Sequence, residues 1–129
     1  MKKFEVSTPA AGFIDITGQV AAIVRAGGVR EGVCHVYVPH TTAGITINEN
    51  ADPDVIADML AGLDQMVPRL PYRHAEGNSP AHIKAALIGS SATVPVTGGV
   101  LYLGTWQGIY LGEFDGPRRR TVCVTLAGS

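Results

Sequence analysis

Residues 33–53 read Val33-Cys34-His35-Val36-Tyr37-Val38-Pro39-His40-Thr41-Thr42-Ala43-Gly44-Ile45-Thr46-Ile47-Asn48-Glu49-Asn50-Ala51-Asp52-Pro53. The first six are mostly β-branched or aromatic and apolar on both faces except at His35, the pattern of a strand inside a sheet. Pro39 breaks it, since proline cannot donate to a ladder. Ile45 to Asn48 alternates apolar and polar side chains and predicts the next strand. Asp52-Pro53 then starts a helix, with a carboxylate to cap it and proline where no amide is needed.

Working outward, the helix from Pro53 runs to about Val67, its apolar stripe carried by Val55, Ile56, Met59, Leu60, Leu63 and Met66. Pro68 to Pro71 ends it, and Tyr72 to Asn78 forms a polar loop. Ser79-Pro80 starts another helix, which stops at Gly89. On the N-terminal side, Phe4 to Val6 and Gly12 to Ile16 read as short strands. Thr17 is placed to cap a helix through about Arg25, with Gly27-Gly28 as its stop. The C-terminal third is β: Thr93 to Val96, Val100 to Leu103, Ile109 to Glu113 and Arg120 to Leu126. Thr97-Gly98-Gly99 and Asp115-Gly116-Pro117 supply turns. The expected class is α+β: a mostly antiparallel sheet or sandwich with three inserted helices, in one domain over residues 1–129.

A chain of 129 residues buries one core, not two. Its net charge of -1 offers no general field for nucleic acid or an anionic membrane, and no partner of either kind is expected. Charged residues are 16% of the chain, against about 25% in an ordinary domain. That shortage predicts that part of the exterior meets another subunit. Met1 to Glu5 carries a basic pair but no apolar run of the signal-peptide kind. Cys34 and Cys123 are too few for a disulfide framework and lie in apolar strands, so both read as buried thiols of a cytoplasmic protein.

Phosphate loops of the nucleotide-binding kinds, HExxH, CxxC and GxSxG are all absent. Chemistry-bearing side chains gather at the ends of elements. His40, His74 and His82 lie beside loops or in a first helical turn. Three neutral imidazoles with an open fourth position make a catalytic-type site for zinc or another divalent metal. Each alone reads first as a surface or hydrogen-bonding residue, and spacing does not show that they converge. His35, mid-strand, reads as a core or interface residue. Glu49, between Asn48 and Asn50, reads as a general base, a metal ligand or a helix anchor. Glu76 reads as a solvated loop carboxylate. Trp106, with Thr105 and Gln107 between glycines, reads as the floor of a pocket for a flat ring or as an interface plug. In an extended chain Arg119 faces away from Arg118 and Arg120, so few of the three reach one pocket. From the residues alone, the conclusion stops at a polar, metal-capable pocket.

Three strings go further: His40-Thr41-Thr42-Ala43-Gly44 through Asn48-Glu49-Asn50-Ala51-Asp52-Pro53; Gly77-Asn78-Ser79-Pro80-Ala81-His82-Ile83-Lys84; and Leu103-Gly104-Thr105-Trp106-Gln107-Gly108. Together they resemble the YjbQ family, described as secondary thiamine-phosphate synthases, from about Ile14 onward. The resemblance implies a trimer of β-sandwich subunits with a polar pocket near the subunit interface. It implies metal-binding histidines at His40, His74 and His82, and acidic and amide positions at Glu49, Asn48 and Asn78. Thr105, Trp106 and Gln107 match the family's Thr-Trp-Gln, and Arg119 or Arg120 its terminal arginine. Thr42 stands where serine is common, and the loop around Glu76 is shorter than in some relatives. The expectation is a homotrimeric enzyme acting on a small phosphorylated ligand. Glu49, Asn78 and Arg119 would be catalytic, with Arg119 on phosphate. Asn48, Thr105, Trp106 and Gln107 would hold substrate. A divalent metal (zinc, magnesium or manganese) is expected, and no organic cofactor. The rivals are a metal- or metabolite-binding trimer without turnover, and a structural trimer whose polar residues only join subunits.

Overall fold

In the computed structural model, which describes residues 1–129, eight strands and three helices follow the order β1 (Lys2–Ser7), β2 (Gly12–Asp15), α1 (Thr17–Ala26), β3 (Gly32–Tyr37), β4 (Ala43–Glu49), α2 (Pro53–Met66), α3 (Ser79–Ile88), β5 (Ser91–Thr97), β6 (Val100–Leu101), β7 (Gln107–Glu113) and β8 (Arg119–Gly128). Every strand pair is antiparallel. One sheet has the order β1-β8-β3-β5-β6, the other β2-β7-β4. Their inner faces share a core: Val6, Cys34, Val36, Val94, Val96, Val122 and Val124 from the large sheet; Ala43, Ile45, Ile109 and Leu111 from the small one; Ile16, Val20 and Val24 at α1. Alternation along each strand produces this, since every second side chain turns inward. The outward face of β3 accordingly shows Val33 and Tyr37, 40% and 42% exposed. His35 is half-buried there, its Nδ1 3.0 Å from Thr93 Oγ1.

The elements expected from sequence are present, and their ends differ where a distant partner intervenes. Asp52 caps α2 as expected, its carboxylate accepting from the Asp54 N–H at 2.9 Å. Thr17 does not cap α1. The position before the helix is Ile16, with no side-chain cap. The Thr17 hydroxyl instead donates to Asp15 and accepts the Ile109 N–H at 2.9 Å, satisfying a backbone donor of the central strand β7 just past the end of β2. The strand expected over Val100 to Leu103 is cut short at Leu101. In the register of β5 and β6 Tyr102 faces Pro95, which accepts the Tyr102 N–H but has no N–H to return, and the ladder ends there. Of the expected α2 stripe only Leu63 is buried; Met66 is 68% exposed. Cys34 and Cys123 are free and buried, and burial pushes the Cys34 thiol up to about 11. No helix is long and apolar enough to cross a membrane.

α3 lies directly on β4. A Cβ at Gly44 would stand 2.8 Å from the Gly89 carbonyl oxygen and 2.9 Å from Ile88 Cγ2, so only glycine permits this approach. That contact sets where His82 sits relative to His40.

Candidate functional site

Pro39 ends β3 at Tyr37, but β8 continues past it. Extending the register, in which Tyr37 faces Cys123, would put Pro39 opposite Thr121. The Thr121 N–H goes instead to His40 Nε2 at 3.0 Å. A backbone amide can only donate, so Nε2 is the acceptor and the proton of the neutral ring sits on Nδ1. Burial lowers the His40 pKa below its ordinary value; Arg120 lowers it further against the opposing pull of Glu113. His40 is therefore a neutral N–H donor. In this geometry the one lone pair of its neutral ring is engaged by the Thr121 N–H.

His74 comes from the loop after α2 and His82 from the first turn of α3. Gly77, at φ 76°, closes that loop, with its N–H on the His74 carbonyl at 3.2 Å. The two imidazoles meet edge to face, ring centroids 5.5 Å apart and planes at 89°. Glu76 Oε2 stands 4.0 Å from His74 Nε2.

Asn78 precedes α3, where its side chain would ordinarily cap. It makes no cap bond. Its Nδ2 donates to Asp115 Oδ2 at 2.9 Å, while Oδ1 is buried without a partner. Asp115 also takes Arg118, Nη2 on its carboxylate at 3.0 Å and Nε on its carbonyl at 2.7 Å. The Asn78 hydrogen bond, and after it Arg118, hold the Asp115 carboxyl below its usual range against the contrary effect of burial. Asn78, Asp115 and Arg118 thus fasten the start of α3 to the β7–β8 turn.

Beneath lies a buried ion pair. Glu113 is 0% and Arg120 3% exposed. Arg120 reaches Glu113 Oε1 through Nε at 2.8 Å and Oε2 through Nη2 at 2.5 Å. Thr8 Oγ1 and the Asp115 N–H complete the carboxylate, and Thr42 Oγ1 accepts from Arg120 at 2.7 Å. Burial pushes the Glu113 carboxyl up, but the bonds from Arg120, Thr8 and Asp115 together hold it below its usual range.

These groups surround a cavity of about 430 Å³ lined by Pro39, His40, Thr41, Thr42, His74, Glu76, Asn78, His82, Arg118 and Arg120, none of them hydrophobic. Arg119, expected on phosphate, is not among them. It is on the other face of β8, 74% exposed and paired with Glu5 at 2.7 Å, as strand alternation requires. Arg118 and Arg120 line the cavity instead.

The remaining expected residues lie elsewhere. Asn48 and Glu49 end β4, Thr105 and Trp106 form the turn opposite, and Gln107 opens β7 facing Glu49. Asn50 N–H bonds the Trp106 carbonyl at 2.9 Å, and Tyr110 Oη donates to the Glu49 carbonyl at 3.1 Å. His40 lies before the other end of that seven-residue strand, roughly 20 Å away at strand rise. Within one chain the expected site is two sites. Thr8, Glu113 and Asp115 were missed by sequence reading. Their one signal was a glutamate ending an otherwise apolar strand with an arginine one turn later.

A two-sheet antiparallel α+β sandwich, carrying at one end a pocket walled by histidine, arginine and asparagine, is the class of protein these features define. The sequence profile described as "UPF0047 protein YjbQ-like" matches residues 2–129, and the chain belongs to that family. It is 53% identical over 117 residues to the UPF0047 protein YugU of Bacillus subtilis (strain 168), covering 89% of each chain. A UPF0047 protein of Methanocaldococcus jannaschii is 49% identical over 116 residues, covering 89% of this chain and 84% of that one. Among solved structures, an uncharacterized YjbQ/UPF0047 family protein of Clostridium acetobutylicum superposes with TM-score 0.95 at 53% identity, covering 98% of this chain and all of its own (100%). A protein of unknown function from Sulfolobus solfataricus P2 gives TM-score 0.95 at 34% identity, covering 99% of this chain and 96% of that one.

Proposed function

We propose that the histidine–arginine cavity binds a small phosphorylated heterocycle, and that this cytoplasmic chain, as a homotrimer, transfers a pyrimidine from its pyrophosphate to a thiazole phosphate. The observation that carries the reading is the lining itself: three histidines, two arginines and an asparagine with no hydrophobic wall, around a volume of about 430 Å³. Such a set suits phosphate oxygens. In the reaction the thiazole nitrogen donates its lone pair to the pyrimidine methylene carbon. The carbon–oxygen bond to pyrophosphate breaks, and pyrophosphate leaves with that electron pair. Arg118, oriented by Asp115, meets the departing charge with its unengaged Nη1. His40 Nδ1–H supplies a donor that needs no protonation change, and buried Arg120 adds positive potential behind them.

His74 and His82 stand edge to face with Glu76 beside them, but no three side chains of the ligating kinds converge on one point in this structure. A divalent cation entering the cavity would have His74, His82 and Glu76 as its nearest donors, which would have to turn toward it, and it would neutralise pyrophosphate charge.

The test supplies both substrates and measures thiamine phosphate and released pyrophosphate. Equal amounts, reduced at least about a hundredfold in Arg118→Ala, support the reading. Absence of pyrophosphate binding by calorimetry overturns it. Binding without product leaves the second reading, a trimer that holds metabolite or metal without turnover. One observation favours that reading: Glu49, the expected base, lies at the far end of β4 from the cavity.

A further inference from the structure

A second cavity, of about 520 Å³, meets the histidine pocket at Asn78, the one residue that lines both. Helical period makes α3 the partition between them. Asn78 and His82, four residues apart, line the histidine pocket, whereas Ala81 and Lys84, three apart, turn to the second cavity. The Asp115–Arg118 ion pair also joins the two, Asp115 lining one and Arg118 the other.

The second cavity has what the first lacks. Val67 and Phe114 give it an apolar and aromatic surface, where the histidine pocket has none. The Phe114 ring lies edge to face with Phe13, centroids 5.9 Å apart. It also stands so near the backbone that a Cβ at Gly112 would come within 2.8 Å of it. Its position is therefore set by the core beneath it. The same cavity carries a surplus of donors. The Lys84 side chain is only 17% exposed, and its ammonium makes one hydrogen bond, to an Asp64 carboxylate that is 68% exposed. An ammonium has three N–H donors, so two remain without a partner in a largely dry place. Arg69, in the segment after α2, makes no ion pair. Asp115, the other carboxylate of the lining, already has Arg118. The unmatched charge of this cavity is positive, and it suits an anion carried on a small apolar or flat body.

We propose that the second cavity binds the phosphorylated thiazole, with its phosphate on Lys84 and Arg69 and its ring against Phe114, while the histidine pocket takes the pyrophosphate-bearing partner. This rests on the transfer reaction proposed above and gives its two phosphorylated substrates separate sites. Transfer between two bound molecules needs the reacting atoms about 3–3.5 Å apart, so the two sites must adjoin. They adjoin at Asn78. Its Nδ2 is committed to Asp115, which leaves Oδ1 at that boundary as a buried acceptor with no partner.

Calorimetry with the thiazole phosphate and with inorganic pyrophosphate separates the two sites. Each should bind the wild-type protein already saturated with the other. Lys84→Met keeps the apolar stem and leaves only the exposed Asp64 without its partner. It and Arg69→Ala should each weaken the thiazole phosphate about tenfold or more, with pyrophosphate affinity unchanged. Arg69 is exposed, so its variant carries the test even where Lys84→Met fails to fold. The unphosphorylated thiazole alcohol should bind at least about tenfold more weakly than its phosphate. No binding of the thiazole phosphate, its displacement by pyrophosphate, or an affinity that survives both substitutions overturns the second site. Thiazole phosphate held through Arg69 and Lys84 by a protein that ignores pyrophosphate would overturn the transfer reading and leave the second site standing.

Discussion

Glu113→Gln changes one atom and should cost this protein a large share of its stability. Glu113 Oε1 accepts from Thr8 Oγ1 and Arg120 Nε, and Oε2 accepts from Arg120 Nη2 and the Asp115 N–H. A glutamine amide has one acceptor and one donor end, so either orientation turns an NH₂ toward groups that already donate. It also leaves the Arg120 guanidinium, 3% exposed, without a counter-charge. Removing one partner of a buried pair costs about 3–5 kcal/mol, out of a total of about 5–15. At about 3–5 °C per kcal/mol for a domain of this size, the midpoint should fall by about 10–20 °C. Urea unfolding with an unchanged m value gives the free energy directly.

The pH dependence has a definite sign. Glu113 is held below its ordinary value of 4.5, so its contribution is complete above that pH and is lost as pH falls through the folded-state value. The variant should lose part of this acid limb. A loss under about 1 kcal/mol, or an acid limb identical to wild type, would refute the reasoning. Glu113→Leu/Arg120→Met, which removes both charges, should lie within about 2 kcal/mol of wild type.

Gly44→Ala should lose about 1–3 kcal/mol in chemical denaturation, because its methyl meets the Gly89 carbonyl and forces α3 off β4; the same shift should weaken pyrophosphate binding. In ¹⁵N spectra His40 should show a protonated Nδ1 and an unprotonated Nε2 at pH 7 and should remain neutral below its ordinary value of 6.5. The unfolded state takes up that proton first, so stability should fall as pH drops below about 6.5, a slope that His40→Gln removes. Asn78→Ala should raise the Asp115 pKa, read by carboxylate chemical shifts. It should also weaken pyrophosphate binding by about tenfold, as the Asp115 carboxylate that orients Arg118 loses its own anchor.

The strands and helices were legible because their causes are local. Period-two alternation through Ile45 to Asn48, the Asp52-Pro53 start and the Pro39 break each act within a few residues, and all three are in place. The pocket was not legible in the same way, because its bonds span the chain: His40 to Thr121, Asn78 to Asp115, Thr8 to Glu113. Periodicity carries no information about such pairs. Local preference and observed structure part at three side chains, each taken by a distant partner. Thr17, read as the cap of α1, bonds Ile109 instead, and Asn78, at the cap position of α3, bonds Asp115. His40, in the break after β3, closes the end of the β3–β8 ladder. Where local preference and observed structure disagree, a functional or strained site is the usual reason. Two of these three disagreements fall on the lining of one cavity. Asn78 forgoes about 1 kcal/mol of helix capping, and the bond it makes instead steadies the carboxylate that aims Arg118. The helix exchanges a cap bond for an anchor to the β7–β8 turn, and that anchor sets the geometry of the pocket.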